Sequence, residues 1–209
     1  MTPRKIIPLR ESADARERMV RAVGPVLAAH GFVRFDADKV ACRAGVGKGL
    51  VYRAFGSLEN LVRAYAEHPD FWPSVEELLG PDPAAVQALS PADQMGFFFR
   101  RYMEAMRARP DTSGILAREL LERHPLAEPL EDVRVRRSLE LFEYIQGDFP
   151  DNVDVSAVVA VMAGAFQYLA IRARTTTSFG GVDLDTDQGW QRIGAAMDIL
   201  LRRALEGDA

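Results

Sequence analysis

Lys48, Tyr52 and Arg53 are spaced so that a helix would carry an ammonium, a phenol and a guanidinium along its exposed, N-terminal part. Side chains of these three types hydrogen-bond the oxygens of a phosphate chain. Gly49 lies between them and admits a backbone at close range, because it has no side chain to intervene. Gly47 precedes them where the helix should begin, so unpaired backbone donors and the positive end of the helix dipole face the same anion. Lys39 and Arg43 add two cations just upstream. The competing readings are a core aromatic for Tyr52 and an ordinary solvated helix face for Lys48 and Arg53.

The charge distribution agrees with a polyanion site at this end. The chain has 209 residues and a formal net charge of −4, but the ends differ in sign. From Met1 to Phe55 there are 11 Lys and Arg against 5 Asp and Glu; from Gly56 onward there are 15 against 25. A basic third on an acidic remainder suits a polyanion-binding module attached to a body that need not touch the polyanion.

These residues must be held by helices, since apolar positions recur at helical spacing and no alternating run of strand type stands out. A first helix is expected over 13–30, with Ser12 or Asp14 as cap, Gly31 as terminator, and a kink or break at Pro25. Asp36 caps a short helix over 37–44, Gly45 closes it, and a second short helix covers 47–55. Two short helices joined by a Gly-containing turn form a helix-turn-helix. Ser57 then caps a third piece through Leu58, Leu61 and Tyr65. Five prolines between Pro69 and Pro91 cut the next stretch into a short aromatic piece and a loop. Helices are expected over 92–108, 113–123, 126–147, 155–174 and 187–205, with a turn-rich link at 175–185.

The stretch 44–61, AGVGKGLVYRAFGSLENL, resembles the TetR family pattern A-G-V-S-x-G-x-[LI]-Y-x-[HY]-F-x-[SN]-K-[DE]-x-L, and Val40-Ala41 stands for its usual Ile-Ala pair. The resemblance covers about 16–61. It implies an all-α chain: an N-terminal three-helix DNA-binding domain over 1–56 and a helical ligand-binding and dimerisation domain over 57–209. It also implies a one-component transcriptional regulator, a repressor, that binds operator DNA as a homodimer and answers a small-molecule effector. By the resemblance Lys48 and Tyr52 grip phosphates, while Arg53, Lys39 or Arg43 reaches base edges. Three positions depart from the pattern. Gly47 replaces the Ser cap at a cost of a few tenths of a kcal/mol, Ala54 replaces a phosphate-contacting His or Tyr, and Leu58 stands where Lys is usual. Arg53 and Arg34 are available to compensate. A chain of the same fold without an effector, serving DNA binding or protein interaction, is the alternative.

In the body, Met95, Phe98, Phe99, Tyr102, Met103 and Met106 share one expected helix. Soft Met and aromatic side chains can line an adaptable apolar cavity, with Phe142, Phe166, Tyr168 and Trp72 facing it, and its ligand would be largely apolar. Plain core packing is the competing reading for each. Small residues around Ala160 and Gly164, with Ile193 and Met197 on the last helix, suit a four-helix interface about a two-fold axis.

Catalytic chemistry is not expected. His30, His68 and His124 lack metal-ligand spacing, and no phosphate loop, nucleophile elbow or cofactor signature is found. Glu119 and Glu122, near Arg118 and Arg123, read as a solvated ion-pair face. The single cysteine, Cys42, reads as a packed residue in a chain suited to the reducing cytoplasm. No signal peptide is read at the N-terminus. No window reads as a membrane span, and the apolar stretch 155–169 reads as a buried helix.

Overall fold

The computed structural model describes residues 9–145, 149 and 151–206. Its helices are α1 (Leu9–His30), α2 (Ala37–Ala44), α3 (Lys48–Phe55), α4 (Leu58–Ala66), α5 (Val75–Leu79), α6 (Pro83–Gln87), α7 (Pro91–Arg107), α8 (Pro110–Glu119), α9 (Glu128–Tyr144), α10 (Val155–Arg172) and α11 (Asp187–Glu206). A 3₁₀ turn at Pro125–Ala127 precedes α9, and a two-stranded hairpin, β1 (Ser178–Phe179) with β2 (Val182–Asp183), separates α10 from α11. The chain divides into two compact units, 1–72 with 114–133, and 73–113 with 134–209. The first is larger than the 1–56 segment expected from sequence, because it takes in α4 and a later stretch of chain.

In the first unit, Met19, Val20, Val23, Val26 and Leu27 line the buried stripe of α1, and α2 and α4 pack against it. Pro25 does not break α1, which runs unbroken from Leu9. The fully buried Val23 and Leu27 on either side hold the helix together despite the lost donor. Gly24 explains the close approach of α4: a Cβ there would collide with the hydroxyl oxygen of the buried Tyr65. Ser12 and Asp14 lie inside α1 and do not cap it.

The later stretch of this unit grips the end of α1. Gly31 turns the chain at φ 73°, and its N–H reaches the Leu27 carbonyl at 2.8 Å. The next two backbone donors, Phe32 and Val33, both reach the Glu122 carboxylate, at 2.8 and 3.1 Å. The Arg118 guanidinium donates to the Ala28 and Ala29 carbonyls, the latter at 2.8 Å. Arg118 therefore satisfies carbonyls that the end of α1 leaves unpaired, and Glu122 takes the backbone donors of the turn just beyond it, which corrects their reading as a solvated ion-pair face.

In the second unit α11 lies along α7. Arg100 pairs with Asp198, Arg107 with Asp187 at 2.7 Å, and Arg202 with Asp93. Phe166 of α10 is fully buried between Tyr102 and Trp190, with ring centroids 5.3 and 5.8 Å away. A second cluster joins Val75, Leu79, Val86 and Phe98, with Leu141 and Ile145 of the α9 end packed on it. The hairpin answers to Gly180-Gly181, both at positive φ, a pair that favours the tight turns matching strand twist. The pair stands within the turn-rich link at 175–185. The expected helix end at Gly147 lies outside the described residues.

α10 corrects the expectation of a buried helix. Its 18 residues have a mean hydropathy of 1.6 and are long and apolar enough, by length and composition alone, to cross a membrane, yet only 17% of them are buried.

Candidate nucleic-acid interface

The two helices that carry the basic residues are fixed by a small set of contacts. Val40 and Val51 are fully buried and Val46 is half-buried, and these three valines hold α2 against α3. Gly45 adopts the left-handed conformation at φ 66° and ψ 40°, and the Val46 N–H reaches back to the Ala41 carbonyl at 2.9 Å. Asp36 caps α2, its carboxylate accepting from the Lys39 N–H at 2.8 Å. Gly47 occupies the α3 cap position with extended backbone and no side-chain bond, and its carbonyl accepts from the Leu50 N–H of the first turn at 2.8 Å. From α1, Arg18 donates to the Ala44 carbonyl at 3.0 Å, and the Arg16 guanidinium lies 4.6 Å from the Phe55 ring centroid. Neither arginine was singled out from sequence; a cation one helix away from the carbonyl it caps leaves no local pattern.

Every basic residue named above reaches solvent, fully or in part. Tyr52 is 45% exposed, which excludes a core aromatic. Lys48 is exposed and its ammonium lies 2.6 Å from the Asp38 carboxylate. That hydrogen bond, with the Asp38 charge, raises the ammonium's affinity for its proton above the ordinary lysine value. Lys39 folds back onto Asp36, and the same contact holds the Asp36 carboxyl below its ordinary value. Arg43 and Arg53 are exposed, with no carboxylate in ion-pair range among the described residues. The Arg53 guanidinium lies back over Gly49, 3.8 Å from where a Cβ would sit. Cys42 is exposed on α2, which corrects its reading as a packed side chain.

Residues 25–65 match the family profile described as bacterial regulatory proteins, tetR family. The matched segment, 25–65, spans α2, α3 and most of α4, so the similarity covers the helix-turn-helix. Among curated proteins none matches the sequence. Solved structures share the fold over nearly the whole chain. A TetR-like transcriptional regulator from Rhodococcus sp. RHA1 is 20% identical, with all of both chains covered and a TM-score of 0.62. A TetR family transcription regulator from Marinobacter aquaeolei VT8 is 16% identical over 94% of this chain and 98% of that one, TM-score 0.67. The fatty acid degradation regulator FadR from Bacillus halodurans is 16% identical over 95% and 96%, TM-score 0.65.

The residues expected around one apolar cavity are dispersed. Trp72 packs on Phe71 in the first unit, centroids 5.9 Å apart. Phe98 belongs to the cluster with α5 and α6. Tyr102 and Phe166 meet in the other cluster, where the Gln167 amide donates to the Tyr102 hydroxyl at 3.1 Å and burial pushes that phenol well above its ordinary value. Phe99 and Met103 are buried on α7. Phe142 and Tyr168 are exposed, and Tyr168 stacks edge-on with Phe179 of the hairpin at 5.6 Å. A groove of about 450 Å³ does open between α7 and α11, and of the expected residues it takes only Met103. Trp190, Gly194 and Ala195 supply its apolar wall; Arg100, Glu104, Arg107, Asp187 and Asp198 supply a charged one. That lining departs from the largely apolar site expected.

The residues named for a dimer face divide as well. Ala160 and Gly164 are exposed on α10, Ile193 is half-buried, and Met197 faces the core of its own chain at 7% exposure. The large apolar side chains left open are Val161 and Tyr168 on α10 and Ile199 and Leu200 on α11. Alternation within the last helix explains the shift: Trp190, Met197 and Leu201 are buried within the chain, so the free stripe lies on another side.

Proposed function

We propose that this chain is a cytoplasmic one-component transcriptional regulator, a repressor, that binds operator DNA as a homodimer and changes its DNA affinity when a small molecule binds. The observation that carries the reading is α3: Lys48, Gly49, Tyr52 and Arg53 stand open to solvent on a helix whose fold and sequence are of TetR type. Lys48 and Tyr52 then hold phosphates and fix the register, and Arg53, with Arg43 and Lys39 from α2, faces base edges in the major groove. No catalytic step belongs to this reading.

The partner in the dimer is a second copy of the chain. An apolar helix left mostly uncovered is costly in water, at roughly 25 cal/mol per Å². Ala160, Gly164 and Ala165 on α10 let a helix approach closely, beside Val161, Tyr168, Ile199 and Leu200. The effector site is the α7–α11 groove, which suits a small molecule with an apolar body and a polar end. An effector acts only through its differential affinity for two states; α4, which follows the DNA-binding helices, is the lever that would respace them.

A reading without an effector is favoured by one observation: Phe98 and Phe166 are packed into clusters and line no described void. The test is to mix purified protein with random genomic duplex fragments and sequence those retained. Two symmetry-related half-sites about one helical turn apart, or a multiple of it, support the proposal. Retention with no shared sequence contradicts it.

A further inference from the structure

Asp38 sits in the first turn of α2 and reaches across the turn to α3, where its carboxylate oxygen lies 2.6 Å from Lys48 Nζ. Both side chains are open, at 64% and 53% exposure. A carboxylate therefore already occupies the ammonium assigned to a phosphate.

We propose that Asp38 is a built-in competitor for DNA phosphate: on binding, Lys48 exchanges this carboxylate for a phosphate, and the exchange sets both the strength and the salt dependence of DNA binding. The inference rests on the DNA-binding reading of α3 and adds a tuning residue to it. A lysine suits the role, since its ammonium is a point charge with three rotatable donors and no fixed fork to realign. An exposed pair of this kind contributes little in free solution, so it does not prevent the exchange. Beside the DNA the released carboxylate repels phosphate and draws in a cation, which offsets the counterion that Lys48 displaces.

The effect has a size. Each phosphate neutralised on B-DNA adds about 0.9 to the slope of log affinity against log salt, so freeing two Lys48 side chains per dimer adds about 1.8. Across a change from about 200 to about 50 mM salt this corresponds to about a tenfold gain. Lys39 is a lesser case, because its partner Asp36 is also the α2 cap and cannot be removed without loosening the helix.

The experiment is a four-protein cycle: parent, Asp38→Asn, Lys48→Met and the double variant. Each is titrated against a fluorescent mixed-sequence duplex across that salt range, with melting curves to confirm folding. A mixed sequence suffices because phosphate contacts do not read bases. Asp38→Asn should bind more tightly at low salt with a steeper slope, and the gain should vanish in the Lys48→Met background. An equal gain in both backgrounds overturns the inference, because Asp38 would then act as a general repulsive charge. No gain in either overturns it as well. Failure of the folded parent to bind the duplex at the lowest salt overturns the DNA reading itself, a result distinct from both.

Discussion

Replacing Glu122 by Ala removes the acceptor for two backbone donors, those of Phe32 and Val33, at 2.8 and 3.1 Å. The Phe32 bond is partly buried, so its N–H would be left without a partner, while the exposed Val33 N–H turns to water. Hydrogen bonds to a charged group contribute about 1.5–3 kcal/mol, and an exposed one lies well below that range. Counting the Phe32 bond in full and discounting the other gives a loss of about 2 kcal/mol. For a chain of this size that lowers the melting temperature by about 4–8 °C. Glu122→Gln keeps an acceptor and should lose about half as much. Urea unfolding, followed by helical circular dichroism, measures both. Arg123→Ala, an exposed neighbour, serves as control and should change nothing. If Glu122→Ala unfolds within about 0.5 kcal/mol of the parent, the size of an ordinary surface change, then Glu122 does not clamp the end of α1 and the reasoning fails.

Other outcomes follow from single contacts. Gly24→Ala places a methyl against the buried Tyr65 hydroxyl and should destabilise the first unit by about 1–3 kcal/mol, read by the same unfolding curve. Gly189→Ala drives a Cβ into the Asp183 carbonyl oxygen, which is backbone and cannot swing aside; loss of the α11 start should alter the fluorescence of the adjacent Trp190. Val161→Glu leaves the isolated chain unstrained, since Val161 is 69% exposed, but should shift a dimer to a monomer in sedimentation. The Glu17 carboxyl is held below its ordinary value, first by Arg21 and then by His68. Its contribution to stability is therefore present above the ordinary glutamate value of 4.5 and is lost as pH falls through the lowered one. Glu17→Gln should flatten the acid limb of stability against pH.

What the sequence revealed depended on whether the cause was local. Asp36, Gly45, Gly47 and Ser57 are caps and turns whose chemistry acts within four residues, so α2, α3 and α4 were placed to within about a residue. Pro25 misled because burial of Val23 and Leu27 outweighs a local rule. The Asp38–Lys48 and Glu122–Phe32 contacts link residues 10 and 90 positions apart, beyond any periodic pattern. The aromatics of the body were legible as apolar but not as to which of two clusters each would join, since helical spacing alone cannot assign a neighbour. α10 misled for the opposite reason: its composition is that of a core helix, while most of it stays uncovered in one chain.

The most direct test of the account is a titration of the selected DNA fragment with parent protein and with the double variant Lys48→Ala, Tyr52→Ala. Both side chains are exposed and outside the core, so the variant should melt with the parent. Loss of one phosphate contact per side chain in each half-site should weaken binding by at least tenfold near physiological salt. A folded double variant that binds as tightly as the parent would contradict the assignment of α3 as the DNA-reading helix.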